Sequence, residues 1–388
     1  MLSKPIYLDN HSTTRVDPLV FEAMKPFFTE IYGNAASKSH EFGWQAEAAV
    51  ESSRNRISSY IGAGKNEIIF TSGATESINL ALKGTVQHNK RKGTKIITSP
   101  AEHNASIDVC KYLSRRGIEI VFLKVDEYGI IDIEDLRNQL DDKTILVNVM
   151  LANNEIGSIN PVKEIGELCK AKGVLFHSDC TQAVGKIPVN LIEMNIDLMS
   201  FSAHKFYGPK GIGALYIRNK NPKVYIDEQI NGGGHERGFR SGTLNVPGIV
   251  GFAKALELSV NNMDKESENI RSLRDRLYNG LKEKIDNIHF NGHPDLSLNG
   301  KRLYNNLNVA FEGVNADSLM MSVKDIAVSS GSACSSASPE PSHVLKAIGL
   351  RDDLIKSSIR FGLGRFNTEE EIDYVIDRFS QVVIKLRV

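Results

Sequence analysis

Between Glu67 and Arg218 the sequence alternates short apolar or β-branched runs with helical stretches, and this alternation constrains the fold more than any other feature. The runs are Ile68–Thr71, Lys95–Thr98, Glu119–Leu123, Ile145–Met150, Val174–Ser178, Leu198–Phe201 and Ala214–Ile217. Most are continuously apolar, as strands are when helices cover both faces of their sheet. Between them lie helical patterns such as Glu76–Lys90, Ala105–Arg116 and Pro161–Lys172, each closing near a glycine or a basic residue. The spacing predicts an α/β fold built on a mainly parallel, seven-stranded sheet.

A long helical pattern follows from Val246 to Ile285, with Ile270, Leu273, Leu277, Leu281 and Ile285 three or four residues apart. Lys301–Phe311 and Asp325–Val328 then read as strands, and Asn315–Val323, Pro341–Ile348 and Thr368–Leu386 as helices. The extended Pro5–Thr14 is expected to join this smaller α+β unit. The division is therefore a large domain over residues 15–260 and a small one from residues 1–14 and 261–388. The 47 basic and 47 acidic side chains cancel, which argues against a nucleic-acid or polyanion partner. No apolar run is long enough for a membrane span, and Met1–Asp9 carries no apolar stretch of the secretory kind. Cys110, Cys169, Cys180 and Cys334 are scattered without a CxxC spacing, which fits a reducing cytoplasm better than a disulfide framework or a zinc site.

The residues that carry chemistry cluster at strand ends. Asp197–Gly208 reads DLMSFSAHKFYG, placing Lys205 directly after an apolar strand and before the glycine-rich GPKGIG. An ammonium is costly to bury unless its pKa falls or it reacts, and one use for such a lysine is a covalent bond to a carbonyl cofactor. Alone it reads more readily as a surface lysine at a strand end; Ser202 and His204 beside it are phosphate-type donors, and the glycines allow close backbone approach. GPKGIG has neither dinucleotide nor P-loop order. In FHSDCTQ (Phe176–Gln182), Asp179 stands at a strand's carboxyl end, where a carboxylate can pair with a pyridinium nitrogen. A metal held by His177 and Asp179 lacks further ligands at a fitting spacing.

TSGATE (Thr71–Glu76) joins a strand to a helix and offers the N–H groups of Ala74 and Thr75, with the Thr75 hydroxyl, as a phosphate cradle; a capped helix start reads the same way. AEHN (Ala101–Asn104) puts His103 at another helix start, where it could stack on a planar cofactor, move protons or merely cap. In Ser329–Ser338, SSGSACSSAS, almost no bulky side chain would pin Cys334 into a core, so it is a candidate nucleophile on a loop expected to move. Arg360, in SSIRFGLGR, is suited to clamp a carboxylate or to form a structural ion pair.

Taken together, SFSAHKFYGPKGIGALY, TSGATES, AEHNAS, HSDCTQA, GGGHERGFRSGT and SSGSACSSASPEPSHVL resemble the pyridoxal-phosphate (PLP) cysteine desulfurases of the NifS/IscS type. The likeness runs from YLDNHSTTRVDP to SSIRFGLGRFNTEEEID, nearly the whole chain. It implies the aspartate-aminotransferase fold, fold-type I, and a homodimer. By that resemblance Lys205 holds the cofactor covalently and moves the substrate's α-proton. Asp179 faces the pyridinium nitrogen, Gln182 the ring hydroxyl, and His103 stacks on the ring as an acid–base group. Ala74, Thr75, Ser202 and His204 bind the phosphate, joined by Thr243 from the partner subunit. Asn154 and Arg360 hold the carboxylate of L-cysteine, and Cys334 takes its sulfur as a persulfide, leaving L-alanine.

The resemblance further implies that the persulfide passes to an iron–sulfur scaffold protein or another acceptor, for cluster assembly or tRNA thiolation. Many housekeeping members continue past the last helix with a tail that helps dock that scaffold, whereas this sequence ends at Val388, which leaves the acceptor open. Selenocysteine lyase, or another PLP aminotransferase or lyase on the same fold, is the alternative reading.

Overall fold

The computed structural model describes residues 5–297, 300–330 and 341–387. Its centre is a seven-stranded sheet with spatial order Ile68–Thr71, Gly213–Ile217, Leu198–Ser202, Leu175–Asp179, Thr144–Asn148, Lys95–Thr98 and Glu119–Phe122. Gly213–Ile217 runs against both of its neighbours, and the remaining strand pairs are parallel. All seven expected strands are present, their ends shifted by a residue or two. The inner strands are buried on both faces, which is why they read as unbroken apolar runs. The edge strand Glu119–Phe122 is partly exposed along its whole length.

A second, antiparallel sheet has the order Ser329–Ser330, Ser358–Gly362, Asn306–Phe311 and Ile288–Asn291. Ile6–Tyr7 pairs in parallel with Ile326–Ala327 nearby. The apolar core is likewise divided. One cluster, with Phe70, Phe176, Phe201, Phe206 and Phe252, fills one side of the large sheet. Another joins Ile6 and Leu8 to Leu277, Phe311, Phe361 and Phe379 around the small one.

Three expectations change. The pattern Val246–Ile285 is two helices, Val246–Asn261 and Met263–Lys284, because Asn262 leaves helical backbone angles between them. The strand expected from Lys301 begins at Asn306 instead, since Tyr304 and Asn305 are spent on a turn beside the N-terminal segment. The segment expected as a loop from Ser329 starts as strand: Ser329 pairs with Arg360 and Ser330 with Ile359. The 20-residue helix Glu41–Tyr60, not anticipated from the sequence, has a weak apolar pattern interrupted by Ser53 and Arg54, both buried. Among the described residues no helix is long and apolar enough to cross a membrane.

Candidate active site

The carboxyl ends of the parallel strands converge on one cavity of about 580 Å³, the place where open α/β sheets bind ligands. Ala74, Thr75, His103, Asn154, Asp179, Gln182, Ser202, His204 and Lys205 all line it. Nine of the expected residues are thus brought together. Arg360 is fully buried just behind the wall, Thr243 is exposed away from the lining, and Cys334 lies outside the described residues.

Lys205 closes the single turn Ala203–Lys205 after strand Leu198–Ser202. The turn is clamped from below by Phe206, which is 1% exposed and packs with Phe201 against Phe252. From the side Thr14 grips it: Thr14 N–H donates to the His204 carbonyl, and Thr14 Oγ1 accepts from the Tyr207 N–H at 2.7 Å. Tyr207 is thereby held at a φ of 66°, a left-handed conformation rare for an aromatic residue. The amine itself donates to the carbonyls of His11 and Ser12, both at 2.6 Å. The N-terminal segment therefore does more than join the small sheet. Its residues His11–Thr14 cross to the large one and hold the reactive turn.

Asp179 is the last residue of its strand, 4% exposed, and accepts the Thr181 N–H at 2.9 Å. His103 caps the helix Asn104–Ser114 by accepting the Ala105 N–H on Nδ1, so its proton is carried on Nε2. Burial lowers its pKa, with Asp179 opposing. His204 is pushed down to about 3 by burial and then by Lys205, and its Nδ1 lies 3.1 Å from Thr13 Oγ1. The Ser202 hydroxyl donates to the Ile212 carbonyl. No side chain caps the helix Ala74–Asn89, so its first N–H groups face the cavity beside Gly73 and Ser202. That end of the cavity suits an anion. The lining also holds the Asp179 carboxylate and two buried oxygens without partners, Asn154 Oδ1 and Thr181 Oγ1.

Arg360 pairs with Asp9 at 2.9 Å and donates to the Asn154 carbonyl at 3.0 Å, while its Nε has no partner. Part of its fork is thus committed to the structural ion pair. His177, weighed as a metal ligand, instead lies within hydrogen-bond reach of Asn148 Oδ1 and Ser200 Oγ. No group of potential metal ligands is found among the described residues. Burial pushes His177 down to about 3. Its stabilisation is therefore complete above an ordinary histidine pKa and is lost as the pH falls toward 3, because the unfolded chain takes up the proton first. The apoprotein should lose roughly 1.4 kcal/mol per pH unit below about 6.5 relative to His177→Gln. Thermal unfolding of both from pH 7 to 5 checks this; equal acid sensitivity would mean that His177 is protonated in place.

Sequence reasoning missed His11, Ser12 and Thr13, which act largely through backbone carbonyls that no side-chain pattern advertises. It also missed Glu102, fully buried behind His103, which accepts the Met150 N–H at 2.7 Å. Burial raises its pKa well above the carboxylate range, and nearby Asp179 adds to this.

A family model for aminotransferase class-V matches residues 6–375. This chain belongs to that family. It is 52% identical over 386 residues to the cysteine desulfurase IscS of Rickettsia typhi, covering 100% of this chain and 93% of the relative. The cysteine desulfurase IscS of Anaeromyxobacter dehalogenans is 54% identical over 383 residues, with 99% and 93% covered. Among solved structures, a NifS-like protein superposes with a TM-score of 0.91 at 38% identity, covering 99% of this chain and all of that one. SspA in complex with cysteine gives 0.82 at 32% identity, with 94% and 100% covered. The fold of this chain is the one expected, fold-type I.

Proposed function

We propose that this chain is a PLP-dependent cysteine desulfurase, converting L-cysteine to L-alanine and a persulfide on Cys334. The observation that carries the reading is Lys205, fixed at a strand end between Asp179 and an uncapped helix N-terminus in one cavity. These residues fit PLP: an amine for its aldehyde, a carboxylate for its ring nitrogen, helix N–H groups and the Thr75 hydroxyl for its phosphate, and an imidazole for its ring face. When bound, PLP supplies an electron sink for the bonds at the substrate's Cα.

The chain's own residues do the rest. Lys205 Nζ takes the Cα proton, and Asp179 holds a proton on the ring nitrogen. His103, kept neutral by burial, supplies an acid–base group with its proton on Nε2. Asn154 and Arg360 orient the carboxylate, Arg360 through the part of its guanidinium that Asp9 leaves open. Cys334 attacks the substrate sulfur: an S–S bond forms, the Cβ–S bond breaks, and the electron pair left on Cβ collects a proton. Sulfide and L-alanine should appear in equal amounts from L-cysteine with a thiol reductant. Pyruvate in place of alanine would point to a lyase instead.

The same reading takes residues 15–260 as the large domain and residues 1–14 with 261–388 as the small one, supported by separate apolar clusters around the large and the small sheet, while a further cluster joins Ala101 and Ile156 to Val344, Leu345 and Ile355 across that division. It places the protein in the cytoplasm, and its persulfide goes to an iron–sulfur scaffold or another acceptor. It also makes the protein a homodimer. Thr243 is exposed and is not among the residues that line this cavity in its own chain, which suits a residue that serves its neighbour. Phe28, Tyr32, Phe42 and Trp44 stand 47–64% exposed near the N-terminus, more apolar surface than a monomer needs there. Light scattering should give twice the chain mass, and a fully active monomer would remove Thr243 from the site.

A further inference from the structure

Behind the cavity floor lies a buried lysine that the proposed chemistry does not use. Lys186 is 6% exposed. Among the described residues no carboxylate lies within ion-pair distance of it, and the charged groups that face it are the cations Lys205 and Arg360. Burial, with those two cations adding to it, lowers its pKa well below the usual lysine range. A lysine is an expensive residue for such a place unless its N–H groups are needed.

Its bonding shows the need. Lys186 Nζ donates to Gln182 Oε1 at 2.7 Å, four residues back along the chain. Gln182 Nε2 donates to the His11 carbonyl at 2.9 Å, and His11 Nδ1 lies 3.1 Å from Gln182 Oε1. A carbonyl can only accept, so the amide nitrogen must face His11 and the oxygen must face Lys186. His11 Nδ1 then donates to that oxygen. Gln182 Oε1 thus has two donors, and Nε2 keeps one N–H unused on a side chain that lines the cavity. The His11 carbonyl accepts from Lys205 as well, so Lys186, Gln182, His11 and Lys205 form one connected unit.

We infer that Lys186 is a positioning residue that locks the Gln182 amide, so that its free N–H is presented to an oxygen of the bound cofactor. The inference rests on the PLP reading above. A donor held on the ring oxygen disperses its negative charge and loosens that oxygen's hold on the neighbouring proton at Lys205 Nζ. A Gln182 that wavers does this less well, so the pH at which the visible band of the bound cofactor changes should rise.

The test uses Lys186→Met, which keeps the volume and removes the donor, in the full-length protein loaded with PLP. The midpoint of the visible pH titration should rise by at least about half a unit, and PLP affinity should fall about three- to tenfold, the range of one hydrogen bond. Thermal unfolding of the apoprotein should be unchanged or improved, since a buried amine with no carboxylate to pair with has gone. Gln182→Leu should reproduce the titration shift, and adding Lys186→Met to it should produce no further shift. An unshifted midpoint in either single variant, or additive shifts in the double one, overturns the inference. Lys186→Leu, which also removes the donor, carries the test if Lys186→Met does not fold. Failure of the unaltered protein to bind PLP covalently at Lys205 would instead defeat the PLP reading itself.

Discussion

Lys205→Ala should abolish turnover, by at least roughly a thousandfold, while the protein should still fold and still hold PLP without a covalent bond. The size of the effect follows from the amine having two duties, attachment and proton transfer at Cα. Retention of the fold follows from what holds the turn. Phe206 sits in the aromatic cluster with Phe252, and Thr14 bonds the backbone on both sides of residue 205. Neither depends on the Lys205 side chain. What the variant loses structurally is the pair of bonds to the His11 and Ser12 carbonyls, which stand at a part-buried position where water can replace the ammonium. Retention of PLP follows from the helix N-terminus at Ala74 and Thr75 together with Asp179, which the substitution leaves alone. The check is that borohydride abolishes the visible band of the unaltered protein and leaves the cofactor on the denatured chain, whereas the variant keeps none on the chain after the same treatment, read beside sulfide release. Wild-type turnover in Lys205→Ala would end the assignment.

The legibility of this site in the sequence follows from its architecture. In a mainly parallel sheet buried on both faces, strands announce themselves as apolar runs, and ligand-binding residues gather just past their carboxyl ends. Thr75, His103, Asp179, Ser202 and Lys205 all occupy such positions, so finding the strands finds them. Arg360 and the N-terminal segment do not. Arg360 reaches the cavity wall from the small sheet, and its partner Asp9 lies more than three hundred residues away, a pairing that no local pattern encodes. The carbonyls of His11 and Ser12 are invisible for another reason, since every residue has one. Lys186 shows a third kind of blindness. In the sequence it is one polar residue after a glycine, and only the fold reveals that it is buried beside Gln182. The break at Asn262 was hidden because leucines at helical spacing continue on either side of it, so periodicity alone joins the two helices.

Cys334→Ser should cut sulfide release by at least roughly a hundredfold while leaving the first half of the reaction intact. A hydroxyl does not attack divalent sulfur as a thiolate does, and no other cysteine of the chain can take over. Cys110, Cys169 and Cys180 are buried and outside the cavity lining. Burial pushes the Cys110 thiol up to about 12 and raises the other two as well, so none of them offers a thiolate near neutral pH. Cys334 itself lies outside the described residues, yet the chain on either side of 331–340 is tied down beside the site. Ser329 Oγ bonds Asp9, the partner of Arg360. Ser342 bonds the buried Glu155, and His343 Nε2 donates to the carbonyl of Glu102, next to His103. Lys205, Asp179 and His103 are untouched by the substitution, so L-cysteine should still change the visible spectrum of the Ser variant, and that changed spectrum should persist because sulfur is not removed. Desulfuration at the wild-type rate would make Cys334 a bystander and return the enzyme to the aminotransferases or lyases of the same fold, which need no thiol at that position.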